Sequence, residues 1–283
     1  MAFENAGLIL KAASGTSKLK LLLLTAQYSR PSLRPLCTAL LRPFVRKDEL
    51  PIQYMQANRN FNVFLRMADQ ESDLHSMLEV AVRNVYPLDP NFAADLVVDG
   101  GANIGLFSLQ AAAVYPSATI LVCEPLPRNL SQIEKHIARN NIAAKVLPVC
   151  IGGDRRTIPF FCRGANASSF DPAKPYDSVL NIDVMRLSDI VNTSPAQRIV
   201  IKLDIEGMEI EALETYVPGE DRAVIIFGEL HGHKQNRPAL ERLFVRHGWS
   251  IRLGDLSGDD AIFEARSPAV TPTPAPWSPS RSR

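Results

Sequence analysis

Two groups of residues in this chain have types and spacings that can do chemistry. The first is Asp99-Gly100-Gly101-Ala102-Asn103-Ile104-Gly105, which follows the apolar run Leu96-Val97-Val98 and opens into a helical pattern. A second apolar run, residues 118–123, ends in Glu124 and Pro125. Strand, glycine turn, helix, strand, acid is the layout of a nucleoside-binding α/β half. The glycines let a ligand approach the backbone, and the second acid can accept from both ribose hydroxyls. The other group is Lys202-Leu203-Asp204-Ile205-Glu206-Gly207-Met208-Glu209 together with Gly228-Glu229-Leu230-His231. Asp204 and Glu229 close apolar runs, and each is followed two positions later by a second polar group. In an extended chain, side chains two apart share one direction, so Asp204, Glu206, Glu229 and His231 are expected to face an acceptor.

Which ligand the glycine turn serves depends on Asp99. A dinucleotide pyrophosphate sits on a helix N-terminus and needs free N–H groups, not a carboxylate beside them. A ligand carrying an ammonium and a sulfonium suits Asp99 far better, and S-adenosylmethionine carries both. Asp99, Gly100, Gly101, Asn103, Gly105 and Glu124 are therefore its expected contacts. An NAD-dependent oxidoreductase is the alternative reading, and a non-catalytic nucleoside-binding module with a relic pocket is a third. Methyl transfer is an in-line displacement, so the protein must align two reactants and, for a hydroxyl acceptor, accept a proton. His231 is the foremost base by its titration range, with Asp204 close behind. A divalent ion on the paired carboxylates is a less favoured alternative, and no metal ligands are assigned. Glu209 reads as a helix-dipole acid, Lys202 as a neutraliser of a neighbouring carboxylate, and Ser168-Ser169 as a turn. His233 reads as part of a solvated loop, and His75, His136 and His247 as surface or packing residues.

These groups need a scaffold, and the pattern supplies one. From Asp95 strands at 95–99, 118–123, 145–150, 199–204 and 223–229 alternate with helices near 105–114, 127–139, 207 onward and 237–247. Such alternation implies a parallel sheet covered on both faces. Strands at 249–253 and 260–265 have too short a link for a parallel crossover, so they must form an antiparallel hairpin. A mostly parallel sheet with an antiparallel C-terminal strand marks a methyltransferase sheet and not an NAD fold. Residues 61–67 read as a strand and 74–85 as a helix capped by Ser72 or Asp73. The stretch 151–198 reads as irregular.

The chain has 283 residues, 46% of them hydrophobic, enough for one large domain with additions. Its formal charge of +1 gives no global reason to bind nucleic acid. The core also lacks a basic stripe interleaved with aromatics, which argues against RNA methylation. The four cysteines, Cys37, Cys123, Cys150 and Cys162, show no metal spacing, which fits a reduced, cytoplasmic setting. Residues 1–50 carry eight basic against three acidic side chains, a helical arm suited to a lid, an oligomer contact or weak contact with a membrane surface. The apolar patch at 19–24 is too short to span a bilayer. Proline and serine dominate residues 267–283, which read as a disordered tail.

Taken together, Val97 to Gly105, Cys123-Glu124-Pro125, Ile201 to Glu209 and Gly228 to His231 resemble the FkbM-type methyltransferases. The Lys-x-Asp-x-Glu-Gly-x-Glu segment is the most specific part, and the similarity spans about residues 61–266. The resemblance implies a class I, Rossmann-like methyltransferase domain there, between an N-terminal helical extension (1–60) and the tail (267–283). It implies S-adenosylmethionine-dependent O-methylation of a hydroxyl on a small molecule, a sugar or sugar-bearing secondary metabolite. Cys150 departs from the pattern, standing where a small residue such as alanine is expected on the adenine side.

Overall fold

The computed structural model describes residues 2–163, 167–169, 176–217, 220–255 and 260–270. Its centre is a seven-stranded sheet. The strands along the first half of the domain are β3 (Leu96–Gly100), β4 (Thr119–Cys123) and β5 (Lys145–Leu147), and those that follow are β10 (Arg198–Leu203), β11 (Ala223–Leu230), β12 (Ser250–Asp255) and β13 (Ala261–Arg266). Their spatial order is β12-β13-β11-β10-β3-β4-β5. The five strands β5, β4, β3, β10 and β11 run parallel, and β13 is antiparallel to both β11 and β12. The expected terminal hairpin is therefore present, inserted so that β13 lies next to β11.

The chain leaves β3 toward β4 and β5, then returns to β10 on the other side of β3. That reversal opens a crevice at the carboxyl ends of β3 and β10, where α/β sheets bind ligands. Asp99, Glu124 and Asp204 are all at that end. Apolar residues alternate through the sheet: Val97, Val122 and Val200 join one core, and Val98, Cys123 and Ile201 join the other. Each such fully buried side chain contributes roughly 1.5–3 kcal/mol. On the first face lie α5 (Leu106–Val114) and α6 (Pro127–Asn140), and on the second α7 (Leu187–Val191), α8 (Glu209–Tyr216) and α9 (His233–Arg246).

The N-terminal region contributes helices α1 (Ala2–Ala12), α2 (Ser17–Ser29) and α3 (Arg34–Leu41), then a hairpin of β1 (Glu49–Gln56) and β2 (Arg59–Arg66). The hairpin pairs residues on both sides of position 60, and Ile9, Leu21 and Leu24 share a core with Phe107 of α5. The extension and the central sheet are thus packed as one body of side chains. Beyond the hairpin, α4 (Gln70–Ser76) continues as a π-helix over Met77–Arg83. Neither Ser72 nor Asp73 caps it: the helix starts earlier, after Asp69. Asp73 is buried and instead accepts hydrogen bonds from the backbone and guanidinium of Arg66.

Two further differences have local causes. The strand expected at 145–150 is split, because Pro148 has no N–H to give to a ladder. Its second half is β6 (Cys150–Gly152), which belongs to another sheet. That sheet, in the order β6-β9-β7-β8, fills the stretch expected to be irregular, with β7 (Arg156–Arg163), β8 (Ala167–Ser169) and β9 (Ser178–Arg186). The backbone of Ser168-Ser169 is thus strand and not turn. The period-2 signal was there: Phe160 and Cys162 on β7, with Ile182 and Val184 on β9, are buried while Asn181 and Asp183 face outward. At the C-terminus Ser267 is buried, donating to the Arg222 carbonyl and accepting the Val224 N–H. Most of the expected tail, 271–283, lies outside the described residues. Among the described residues no helix is long and apolar enough to cross a membrane, and the four cysteines are free and buried.

Candidate active site

The glycine turn is built by close approach. Gly101 has φ +69°, and a Cβ there would stand 1.8 Å from the Asp204 carbonyl oxygen. Only glycine lets the ends of β3 and β10 come this near. The turn's N–H groups are engaged: those of Gly101 and Ala102 reach the Cys123 carbonyl, that of Asn103 reaches Glu124, and that of Gly105 reaches the Ala102 carbonyl. A pyrophosphate would find these four donors already committed, which disfavours the dinucleotide reading on geometry.

Glu124 lines the principal cleft, with Gly101, Asn103, Asp204 and Glu206 among its other walls. The cleft holds about 710 Å³ counting the solvent at its mouth, the size of a small-ligand site. Burial pushes the Glu124 carboxyl up to about 7, opposed by its hydrogen bonds from the Leu126 and Asn103 N–H groups and the Asn129 amide, and by Lys202. Asp99 is not among the residues lining the cleft. It lies beneath, fully buried, with Oδ2 accepting the Ser108 hydroxyl at 2.6 Å and Oδ1 3.7 Å from the Lys202 ammonium. Burial raises its pKa, against the pull of Lys202 and Ser108. Gly100 ends β3, its carbonyl accepting the Asp204 N–H. Gly105, at φ +80°, opens α5 and shapes the turn without lining the cleft.

Lys202 is the charged centre that the sequence reading undervalued. It is 3% exposed, donates to the Gly101 carbonyl at 2.6 Å and stands 3.4 Å from Asp204 Oδ2. Burial works against its charge, but Asp204, Asp99 and Glu124 outweigh it and hold the pKa up. A lone lysine inside Ile199-Val200-Ile201-Lys202-Leu203 was the available signal. Asp204 also borders a second, smaller pocket with Ser76, Glu79, Tyr86 and Lys202, so it stands in the wall between two chambers.

The turn after Asp204 is not extended. Glu206 (φ +59°) and Gly207 (φ +102°) are both left-handed, so Asp204 and Glu206 reach the cleft across a tight bend and not along one strand face. A non-glycine residue held in that region is strained and must be fixed by its surroundings. Glu209 does this: 1% exposed, its Oε1 accepts the N–H groups of Ile205 and Gly207 and meets His231 Nδ1 at 3.0 Å. It is a staple for the loop, more than a helix-dipole acid. His231 Nε2 lies 4.0 Å from Glu206. Burial opposes charge on His231, but the hydrogen bond and charge of Glu209, with Asp204 and Glu206, raise its pKa. Burial and the charges of Asp204 and Glu79 raise that of Glu229. Neither Glu229 nor His231 lines the principal cleft. They gather with Asp260, one donor atom from each lying within 4.8 Å of the others.

A family model for the methyltransferase FkbM domain matches residues 99–248, more than half of the chain, from Asp99 through His231 of this site. The chain belongs to the FkbM methyltransferase family. As an S-adenosylmethionine-dependent methyltransferase it is similar to "Methyltransferase 1" of Beauveria bassiana (strain ARSEF 2860), 24% identical over 193 residues, 57% of this chain and 74% of that one. It is also similar to "Methyltransferase sdnD" of Sordaria araneosa, 28% identical over 152 residues, 42% of this chain and 59% of that one. Among solved structures it is similar to the precorrin-6y C5,15-methyltransferase of Geobacter metallireducens GS-15 at a TM-score of 0.39 and 14% identity, covering 65% of this chain and 86% of that one.

The residues present fit the family's cofactor. Oδ1 of Asn103, on the cleft wall, is buried without a hydrogen-bond partner, as an acceptor awaiting a donor would be. Oδ1 of Asp99 also lacks a hydrogen bond but faces the Lys202 ammonium. Glu124 and Asp204 both put a carboxyl group on the wall of one cleft.

Proposed function

We propose that this FkbM methyltransferase O-methylates a hydroxyl of a small acceptor, a sugar or sugar-bearing metabolite, using S-adenosylmethionine. Bound in the cleft, the cofactor would supply a methyl group activated by its sulfonium. Glu124 would take a ribose hydroxyl at the one acceptor site its three hydrogen bonds leave open. Cys150 and Leu126 would flank the base. Asn103, which lines the cleft and whose Oδ1 has no hydrogen-bond partner, would receive the ammonium.

The observation that carries the reading is the place of Asp204: at the end of β10, in the wall shared by two chambers, with Lys202 3.4 Å behind it. A carboxylate so placed can accept the acceptor's proton as the new bond forms. Geometry favours it over His231 for this role. The carboxylates around His231 favour its protonated form, and a group that already holds a proton is a poor base. His231, Glu206 and Glu229 would then orient the acceptor. Carboxylates and one aromatic ring, Phe160, along the lining suit a polyhydroxylated ring.

The test is direct. The purified chain should be stabilised thermally by S-adenosylhomocysteine and not by NADH. With S-adenosylmethionine and a panel of glycosides and polyols, it should yield products heavier by one methylene. Methyl transfer to amines or carbons only, with hydroxyl acceptors inert, would remove the O-methylation reading while leaving the family intact.

A further inference from the structure

The N-terminal hairpin reaches the cofactor site through side chains of α6. The outward edge of β2 is read by residues four apart on that helix: Asn140 pairs with both backbone groups of Asn62, while His136 accepts the Phe64 N–H and Gln132 donates to the Phe64 carbonyl. The last contact in this series is Arg66. Its guanidinium grips Asp73 with two nitrogens, at 2.6 and 3.1 Å, and its Nη1 donates to Asn129 Oδ1 at 3.0 Å and to the Arg128 carbonyl at 3.3 Å. Nη1 also stands 3.3 Å from Asp69. From the other end of the same amide, Asn129 Nδ2 donates to Glu124 Oε1 at 3.1 Å.

We infer that Arg66, which does not line the cleft, is a positioning residue for the cofactor, holding the Asn129 amide in the one orientation that presents a donor to Glu124. An amide has an acceptor end and a donor end. With Arg66 bound to Oδ1, only Nδ2 can face the carboxylate. Without Arg66 the amide is free to turn, and Oδ1 against Glu124 would be repulsive. Arg66 is itself 12% exposed and locked to a fully buried Asp73, so the relay is anchored at its far end. It rests on the reading of Glu124 as the ribose-binding carboxylate.

The relay also sets the charge of Glu124. Asn129 is one of the groups that oppose the effect of burial on that carboxyl. Lys202 and Arg66 face it as cations, Cys123 and Cys150 stand close as thiols, and Arg128, Asp204 and Glu206 border the same cleft. Breaking the relay favours the neutral carboxylic acid, which leaves one fewer acceptor for a diol.

The experiment is a double-mutant cycle on the full chain, read by calorimetric titration with S-adenosylhomocysteine. Arg66→Leu should weaken binding about tenfold in wild type and less than about twofold on a Glu124→Gln background. Arg66→Lys should fall between. Asn129→Ala should repeat the pattern, and it carries the cycle if Leu at 66 prevents folding. Between about pH 6 and pH 9 the Arg66→Leu defect should shrink as Glu124 ionises. Equal losses on both backgrounds would make Arg66 a general structural residue and overturn the inference, as would unchanged binding in Arg66→Leu. If Glu124→Gln alone leaves binding unchanged, or wild type does not bind, the ribose reading itself has failed.

Discussion

The two halves of the crevice are built on opposite plans. On the β4 side Glu124 is 4% exposed and held by three hydrogen bonds. On the β10–β11 side Asp204, Glu206, Glu229 and Asp260 gather near one histidine; burial and then the charges of Asp204 and Glu79 raise the pKa of Glu229, while Glu209, Asp204 and Glu206 raise that of His231 against burial. The first half is held rigidly, as the proposed invariant donor requires, and its groups have little left to adjust. The second half keeps like charges in reach of one another, an arrangement that relaxes when a proton or a positive centre arrives. On the proposed reading, donor recognition would rest on fixed hydrogen bonds, and acceptor chemistry on charge.

That contrast is broken most severely at Asp204. Asp204→Asn keeps the size and loses the base, and should lower the rate of methyl transfer by about a hundredfold or more. Binding of S-adenosylhomocysteine should stay within about threefold. Matched losses in rate and binding would mean that the two halves are one unit. The reverse variant is Glu124→Gln. It should weaken cofactor binding by roughly tenfold and raise the cofactor KM in step, with kcat at saturation little changed. Steady-state kinetics with varied donor separates these outcomes, and a kcat loss as large as that of Asp204→Asn would end the division of labour.

Glu209 sharpens the comparison on the acceptor side, where it is a fully buried carboxylate with a fixed set of bonds. Glu209→Ala should free the left-handed bend at Glu206 and cost about tenfold in kcat. Glu209→Gln retains the acceptor for the Ile205 and Gly207 N–H groups, and should restore most of that loss. If glutamine is as poor as alanine, the charge beside His231 matters more than the loop.

The same contrast governs what the sequence disclosed. The donor half was legible because β3, the glycine turn, α5 and β4 are local: apolar runs, glycines and an acid in fixed order. The terminal hairpin followed from the length of one loop. On the acceptor side the residues were visible but their geometry was not, because the bend at Glu206 and Gly207 is imposed by Glu209 from the next helix. Lys202 showed itself as a charge in an apolar strand, yet its partners come from three separate segments. The relay from Arg66 had no local signature at all. It depends on Gln132, His136 and Asn140 falling along one stripe of α6 against a strand 60 or more positions earlier in the chain. The second sheet was missed for a different reason: its strands bury one face only, and their polar alternates dilute the apolar signal.

The remaining effect concerns stability, and it sets Glu124 against His136. His136 must be neutral, because Nε2 accepts the Phe64 N–H while Nδ1–H donates to the Ile104 carbonyl. Burial lowers its pKa to about 4 from an ordinary 6.5. The unfolded chain therefore binds this proton more readily, and stability from His136 is full above about pH 6.5 and lost as pH falls toward 4. Glu124 runs the other way. Its pKa is raised from 4.5 to about 7, so the folded chain holds the proton and its contribution declines as pH rises through that window. Each shift corresponds to roughly 3 kcal/mol, and in the cofactor-free protein the two oppose one another between about pH 4.5 and 6.5. Removing Glu124 by glutamine substitution should expose the histidine: the melting temperature of Glu124→Gln should climb more steeply with pH across that interval than that of wild type. His136→Gln should climb less steeply than wild type. Calorimetric melts at several pH values decide it, and parallel curves for all three proteins would show that neither group is as deeply committed to its protonation state as its hydrogen bonds require.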